Sequence, residues 1–287
     1  MTDDTFPLGE RSVRRLGFGA MQLAGPGAFG PPHDRDAALD VLRKAVELGV
    51  NHVDTAQYYG PDVVNELIRA ALWPYPEDLV LVSKVGAARD DVGRWLPAMQ
   101  PEQLRSGVQD NLRSLGVERL DAVNLRLMDG GDGFDEQLEA MIAIRDEGLI
   151  AGIGLSNVSR DQLVHAVQRT EIVCVQNALN LVSRDSMALL RECQELGIAF
   201  VPFFPLGSAL GGTNRLLTHP DVIAVAERLE AQPSQVALAW LLELGPNVLL
   251  IPGTSSLGHL IDNMTTRRVH LDDEAKKVLD ASEISDI

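Results

Sequence analysis

Residues 120–127 (LDAVNLRL), 134–147 (FDEQLEAMIAIRDE) and 150–157 (IAGIGLSN) decide the fold. The first and third are short apolar runs of strand length. The middle stretch has the apolar spacing of a helix and stops at Gly148. Strand, helix and strand joined by short turns read as a parallel βαβ unit. The alternation continues both ways. Upstream, runs at 16–19, 52–56 and 79–85 are separated by helical patterns at 34–48, 63–72 and 101–115. Downstream, runs at 172–179, 199–206 and 248–254 alternate with helical patterns at 159–168, 183–196, 220–229 and 234–244. Eight strands alternating with helices, with no linker or shift of composition, predict a closed (β/α)8 TIM barrel rather than a doubly wound sheet. Residues 1–287 are read as one domain. Two pieces lie outside the repeat: a segment at 6–13, expected to form a hairpin across the barrel floor, and an extra C-terminal helix at 272–282.

Composition narrows the function. The chain has 287 residues, 25 basic and 41 acidic, for a formal charge of −16. Such a balance argues against nucleic acid, whose phosphates are held by clustered Lys and Arg, and against anionic membrane surfaces. It also disfavours phosphorylated substrates. No apolar run approaches the roughly 18 residues of a membrane span, and the acidic start shows no signal peptide. Cys174 and Cys193 stand in no metal or redox spacing. The expectation is a cytoplasmic, metal-free protein, a monomer or weak homo-oligomer, acting on a small molecule. Lysine occurs only at 44, 84, 276 and 277, so a lysine at a strand end draws notice.

One motif fails. Gly25-Pro-Gly-Ala-Phe-Gly30 matches the dinucleotide G-x-G-x-x-G, but Pro31-Pro32 follows at once. No helix can start there to receive a pyrophosphate, so the stretch reads as a mobile loop. A second set holds. In such barrels chemistry sits where strands end at their C-termini. Those ends carry Asp54 with Tyr58 and Tyr59, then Lys84, Arg126, Ser156 with Asn157, and Gln176 with Asn177. Alternation places His52 with Asp54, Asn124 with Arg126 and Cys174 with Gln176 on common faces. An ammonium near a phenol favours the phenolate, and a carboxylate keeps that ammonium in place. Asp54, Lys84 and Tyr59 therefore read as a proton-donor set, with Tyr58 expected to face away.

Asp54-Thr-Ala-Gln-Tyr-Tyr59-Gly60, Ser83-Lys84, Gly154-Leu-Ser-Asn157, Gln176-Asn177, Phe204-Pro-Leu-Gly207 and Ile251-Pro-Gly-Thr254 together resemble the aldo-keto reductases, in the right order and from about residue 16 to 263. More narrowly, residues 19–27, Tyr59-Gly60-Pro61 and Val123-Asn-Leu-Arg126 look like the bacterial pyridoxal reductases (pyridoxine 4-dehydrogenases). The resemblance implies an NADPH-dependent oxidoreductase that binds an extended cofactor without a Rossmann domain. It implies hydride transfer to an aldehyde, best matched by pyridoxal, with Tyr59 as proton donor tuned by Lys84 and Asp54. It assigns the cofactor to Gly19, Ala20 and Met21 with Asp54, and its carboxamide to Ser156, Asn157 and Gln176. Phe203 is assigned to the nicotinamide ring. Phe204, Pro205, Leu206 and Gly207 match the pyrophosphate wrap, and Pro252, Gly253, Thr254, Ser255 and Ser256 the 2′-phosphate stretch. His259 is the nearest cation, and Asp262 and Asn263 match the adenine contacts.

The chain departs from the family where Arg126 replaces a customary histidine. Arg126 is expected either to hold an anionic substrate oxygen or to pair with Asp129. A helix N-terminus at Thr254–Ser256 favours NADPH, with NADH open. The tail is short, so the substrate pocket is expected to be open and lined by Met21, Phe29, Tyr59, Arg126 and the 129–134 loop. Other readings are a broad carbonyl reductase, a Schiff-base barrel enzyme acting through Lys84, and a non-catalytic NADPH-binding protein.

Overall fold

A computed structural model describes residues 4–128, 130, 132–207 and 214–282. The chain opens with an antiparallel hairpin, β1 (Thr5–Leu8) and β2 (Arg11–Arg14). Parallel strands follow: β3 (Phe18–Gly19), β4 (His52–Asp54), β5 (Val80–Arg89), β7 (Leu120–Arg126), β8 (Ile150–Ser156), β9 (Cys174–Gln176) and β10 (Ala199–Phe200). Their spatial order repeats their chain order, each βα crossover stepping on to the next strand, as in a barrel rather than a doubly wound sheet. The eighth run closes the ring. Leu250 bridges Leu16, and Val248 bridges Phe200, both in parallel. The Gly17 N–H donates to the Leu250 carbonyl at 2.8 Å, and the Leu249 N–H to the Phe200 carbonyl at 2.9 Å.

Helices α1 (Arg35–Glu47), α2 (Val63–Leu72), α3 (Pro101–Leu115), α4 (Phe134–Asp146), α5 (Arg160–Val167), α6 (Met187–Glu195), α7 (Pro220–Arg228), α8 (Pro233–Glu243), α9 (Leu257–Met264) and α10 (Asp273–Ala281) carry the chain between and after the strands. Side chains that accept backbone N–H groups mark several starts: Asp34 for α1, Ser159 for α5, Ser256 for α9 and Asp272 for α10. The apolar faces of helices and strands make one large core. A smaller core fills the barrel itself with Val80, Val82, Ala122, Cys174, Ala199, Leu249 and Ile251. Leu8 and Val13 of the hairpin join this inner cluster, so the hairpin plugs the floor as expected.

Two expectations change. Strand β5 runs on to Arg89 and pairs antiparallel with an added strand, β6 (Trp95–Ala98), a hairpin rising beyond the barrel mouth. The 25–30 loop is not free. The Gly25 N–H donates to the Gly30 carbonyl at 3.0 Å, and the Arg89 guanidinium donates to the Gly27 and Ala28 carbonyls at 2.9 and 3.1 Å.

Candidate active site

The strand registers set the site. Asp54 lies opposite Gly19 and Val82, Lys84 opposite Asn124, and Ser156 opposite both Arg126 and Gln176. Successive register rows thus bring Asp54, Lys84, Arg126 and Gln176 to the barrel mouth. They line a cavity of about 780 Å³ together with Tyr58 and Tyr59.

Lys84 is buried and donates to Asp54 Oδ1 at 2.5 Å and to the Thr55 carbonyl at 2.9 Å. The other carboxylate oxygen, Asp54 Oδ2, accepts from Gln176 Nε2 at 2.9 Å. Two buried charges are tolerable only with such complete pairing. Gln176 Oε1, by contrast, is buried without a partner among the described residues. Ser156 Oγ is in the same condition.

Tyr59 follows β4 in a tight loop whose Tyr59 N–H bonds the Ala56 carbonyl at 3.0 Å. Gly60 has φ +89°, and a Cβ there would lie 2.6 Å from Val63 Cβ, so the turn that sets Tyr59 against the cavity needs glycine. The Lys84 ammonium lies 5.1 Å from the Tyr59 ring centroid. Its hydrogen bonds go to Asp54 and Thr55, not to the phenol. Burial and the Asp54 charge raise the Tyr59 pKa well above the ordinary phenol value, against a smaller lowering by Arg126. This corrects the expectation of a phenol pulled down by Lys84: desolvation wins, and Tyr59 stays protonated. Tyr58 does not face away. It lines the same cavity.

Behind the site runs a polar network that the sequence reading missed. The Thr55 hydroxyl donates to Asn65 Oδ1 at 2.8 Å, Asn65 Nδ2 donates to Asn111 Oδ1 at 2.9 Å, and the Ser83 hydroxyl reaches the same Asn111 oxygen at 2.6 Å. The neighbours of Asp54 and Lys84 are thereby tied to α2 and α3.

The cavity extends from this centre between two walls. Gly19, Met21, Phe203, Phe204, Pro205, Leu206, Gly207, Pro252, Gly253, Thr254, His259, Asp262 and Asn263, all expected around a cofactor, line it. Phe203 and Phe204 are half-buried wall residues rather than core. Arg126 Cζ sits 5.5 Å from the Phe203 ring centroid. Others lie elsewhere. Ala20 is buried, and Asn157 is exposed with its amide donating to the Leu127 carbonyl at 3.0 Å. Ser255 and Ser256 are off the wall, and the Ser256 hydroxyl caps α9. Phe29, expected at the substrate, packs on Arg89 at 5.3 Å. The end beside Tyr59 and Arg126 is walled instead by Trp95 and Met128, and the far end by Gln22, Asn214 and Gln232–Ser234. Trp95 arrives on the β5–β6 hairpin, and Arg89 holds it, 4.1 Å from its ring. The alternative partner of Arg126, Asp129, lies outside the described residues.

The comparisons agree with this geometry. The model of the "Aldo/keto reductase family" matches residues 15–284. The pyridoxine 4-dehydrogenase of Escherichia coli (strain K12) is 50% identical over 286 residues, 98% of each chain. An uncharacterised oxidoreductase of Schizosaccharomyces pombe is 38% identical, over 96% of this chain and 89% of its own. Among solved structures, an aldo/keto reductase from Klebsiella pneumoniae in complex with NADP and acetate superposes with a TM-score of 0.81 at 26% identity, covering 97% of this chain and 94% of that one. Among the described residues no helix is long and apolar enough to cross a membrane. With an ion-paired lysine, a buried phenol and an open cavity at the mouth of a parallel barrel, the chain belongs to the aldo/keto reductase family of oxidoreductases.

Proposed function

We propose that the chain is an NADPH-dependent aldehyde reductase that converts pyridoxal to pyridoxine, with residues 1–287 acting as one catalytic domain in the cytoplasm, as a monomer or weak homo-oligomer. One observation carries the reading: Gln176 is clamped by Asp54 with its carbonyl oxygen unpartnered, on the same cavity wall as the Tyr59 phenol. An unpaired buried acceptor suits the amide N–H of a nicotinamide carboxamide. When bound, the reduced nicotinamide supplies the hydride.

The residues do the rest. Tyr59, kept protonated by burial, donates its phenolic proton to the carbonyl oxygen, which leaves as alcohol. Lys84 and Arg126 steady the phenolate that remains until solvent returns a proton. Arg126, stacked on Phe203, also stabilises negative charge on a substrate oxygen. Lys84 is tied up as an ammonium donating to Asp54 and Thr55, whereas Schiff-base chemistry needs a free neutral amine. At the far end the wall offers the Thr254 hydroxyl and His259 to the 2′-phosphate. Pyridoxal is favoured by the relative named for pyridoxine oxidation, and NADPH by the relative held with NADP.

An NADPH-oxidation screen with pyridoxal, benzaldehydes and methylglyoxal tests the reading. Turnover is expected with pyridoxal, falling by about 10²–10⁴-fold in Tyr59→Phe. Full activity in that variant, or no turnover with any aldehyde, removes the proposal.

A further inference from the structure

Among the described residues, three side-chain atoms of the cavity lining are buried without a hydrogen-bond partner: Gln176 Oε1, Arg126 Nε and the Tyr58 hydroxyl. The first two belong to residues already given work in the reduction. Tyr58 is not, since the proton donor is its neighbour. Its ring is fixed from two sides, edge-on to Tyr59 at 5.4 Å and to Trp95 at 5.5 Å. Only 3% of the residue is exposed. Tyr58 lines the cavity with Tyr59, Lys84, Arg126 and Asp54, which places the residue at the reacting end. A buried hydroxyl with no partner destabilises the free protein. Phenylalanine would keep the same ring contacts without that penalty, so the oxygen has its use when the cavity is filled.

We infer that Tyr58 determines specificity: its hydroxyl hydrogen-bonds an oxygen substituent next to the substrate's carbonyl, selecting aromatic aldehydes with an ortho hydroxyl or phenolate. The inference rests on the aldehyde-reductase reading. Two adjacent tyrosines then serve two adjacent oxygens, Tyr59 protonating the carbonyl oxygen and Tyr58 donating to its ring neighbour. A phenolate accepts such a bond more strongly than a neutral oxygen. An aldehyde lacking the substituent leaves the Tyr58 hydroxyl unpaired, and sites that reserve a polar group for the substrate reject analogues lacking its mate.

The test compares 2-hydroxybenzaldehyde with benzaldehyde in wild type and Tyr58→Phe, with Tm and NADP+ Kd measured alongside. The wild type should prefer the hydroxylated aldehyde in kcat/KM. The variant should lower that preference tenfold or more, mainly through KM, with NADP+ Kd unchanged and Tm no lower than wild type. An unchanged preference overturns the inference. A lowered Tm, which would place the hydroxyl's partner inside the protein, or weakened NADP+ binding, which would assign it to the cofactor, overturns it equally. Those outcomes leave the reductase reading standing. A wild type that turns over neither these aldehydes nor pyridoxal sinks the reading itself.

Discussion

His52 sits inside the barrel with both ring nitrogens unpartnered among the described residues and its pKa pushed down to about 4 by burial. It fits because Gly17 has no side chain: a Cβ there would lie 2.2 Å from His52 Nε2. The folded protein therefore refuses a proton that the unfolded chain accepts near pH 6.5. Stability should fall as pH drops from 6.5 toward 4, by about 2 kcal/mol at pH 5. Denaturant unfolding at pH 7 and pH 5 measures this, and His52→Gln should flatten the slope. A slope unchanged in the variant would assign it to other groups. At this scale the sequence read well where a polar residue ended a strand. Asp54, Lys84 and Arg126 were visible because alternation and charge both marked them, and Gln176 because alternation set a polar amide in an apolar run. Tyr58 was misread, since alternation stops at Asp54 and a loop turns both tyrosines to the cavity. Phe29 was misread because its partner, Arg89, lies on a hairpin 60 residues away in sequence.

Elements position the chemistry through polar side chains that no motif announces. Asn111 on α3 accepts from Ser83 and Asn65 and donates to the Gly107 carbonyl at 2.8 Å. Asn111→Ala leaves the buried Ser83 hydroxyl unpaired and removes one of the two acceptors of the Asn65 amide, which keeps Ser114 Oγ at 2.9 Å, and should cost about 2 kcal/mol. Chemical denaturation reads this directly, and a loss below about 1 kcal/mol would show that water or repacking replaces the amide. Turnover should fall as well, because Thr55 and Ser83 are the chain neighbours of Asp54 and Lys84. Helical periodicity located α2 and α3 to the residue, since their faces contrast sharply. The β5–β6 hairpin escaped notice because Trp95-Leu-Pro-Ala98 pairs only locally and its sequence carries no alternation.

The whole molecule reconciles an acidic chain with an anionic cofactor. Its charge of −16 lies on the surface, while the cavity wall sets Lys84 and Arg126 against Asp54 and Asp262, with His259 at the far end. Composition counts both together, so only the folded arrangement shows that the wall is balanced. Closure of the ring was legible from the eight apolar runs, but its uneven strength was not. Strand β7 shares six register pairs with β8 and four with β5. The eighth run meets its neighbours by one bridge on each side. The chain leaving this thin seam supplies Gly19, Phe203–Gly207 and Pro252–Thr254 to the cavity wall. An occupant of the cavity would therefore act as a clasp across the barrel's weakest join. Bound NADP+ should slow amide hydrogen exchange at 15–19 and 248–251 more than in β7 and β8. Uniform slowing across all strands would mean that the hoop was already shut, and that loading it tightens nothing.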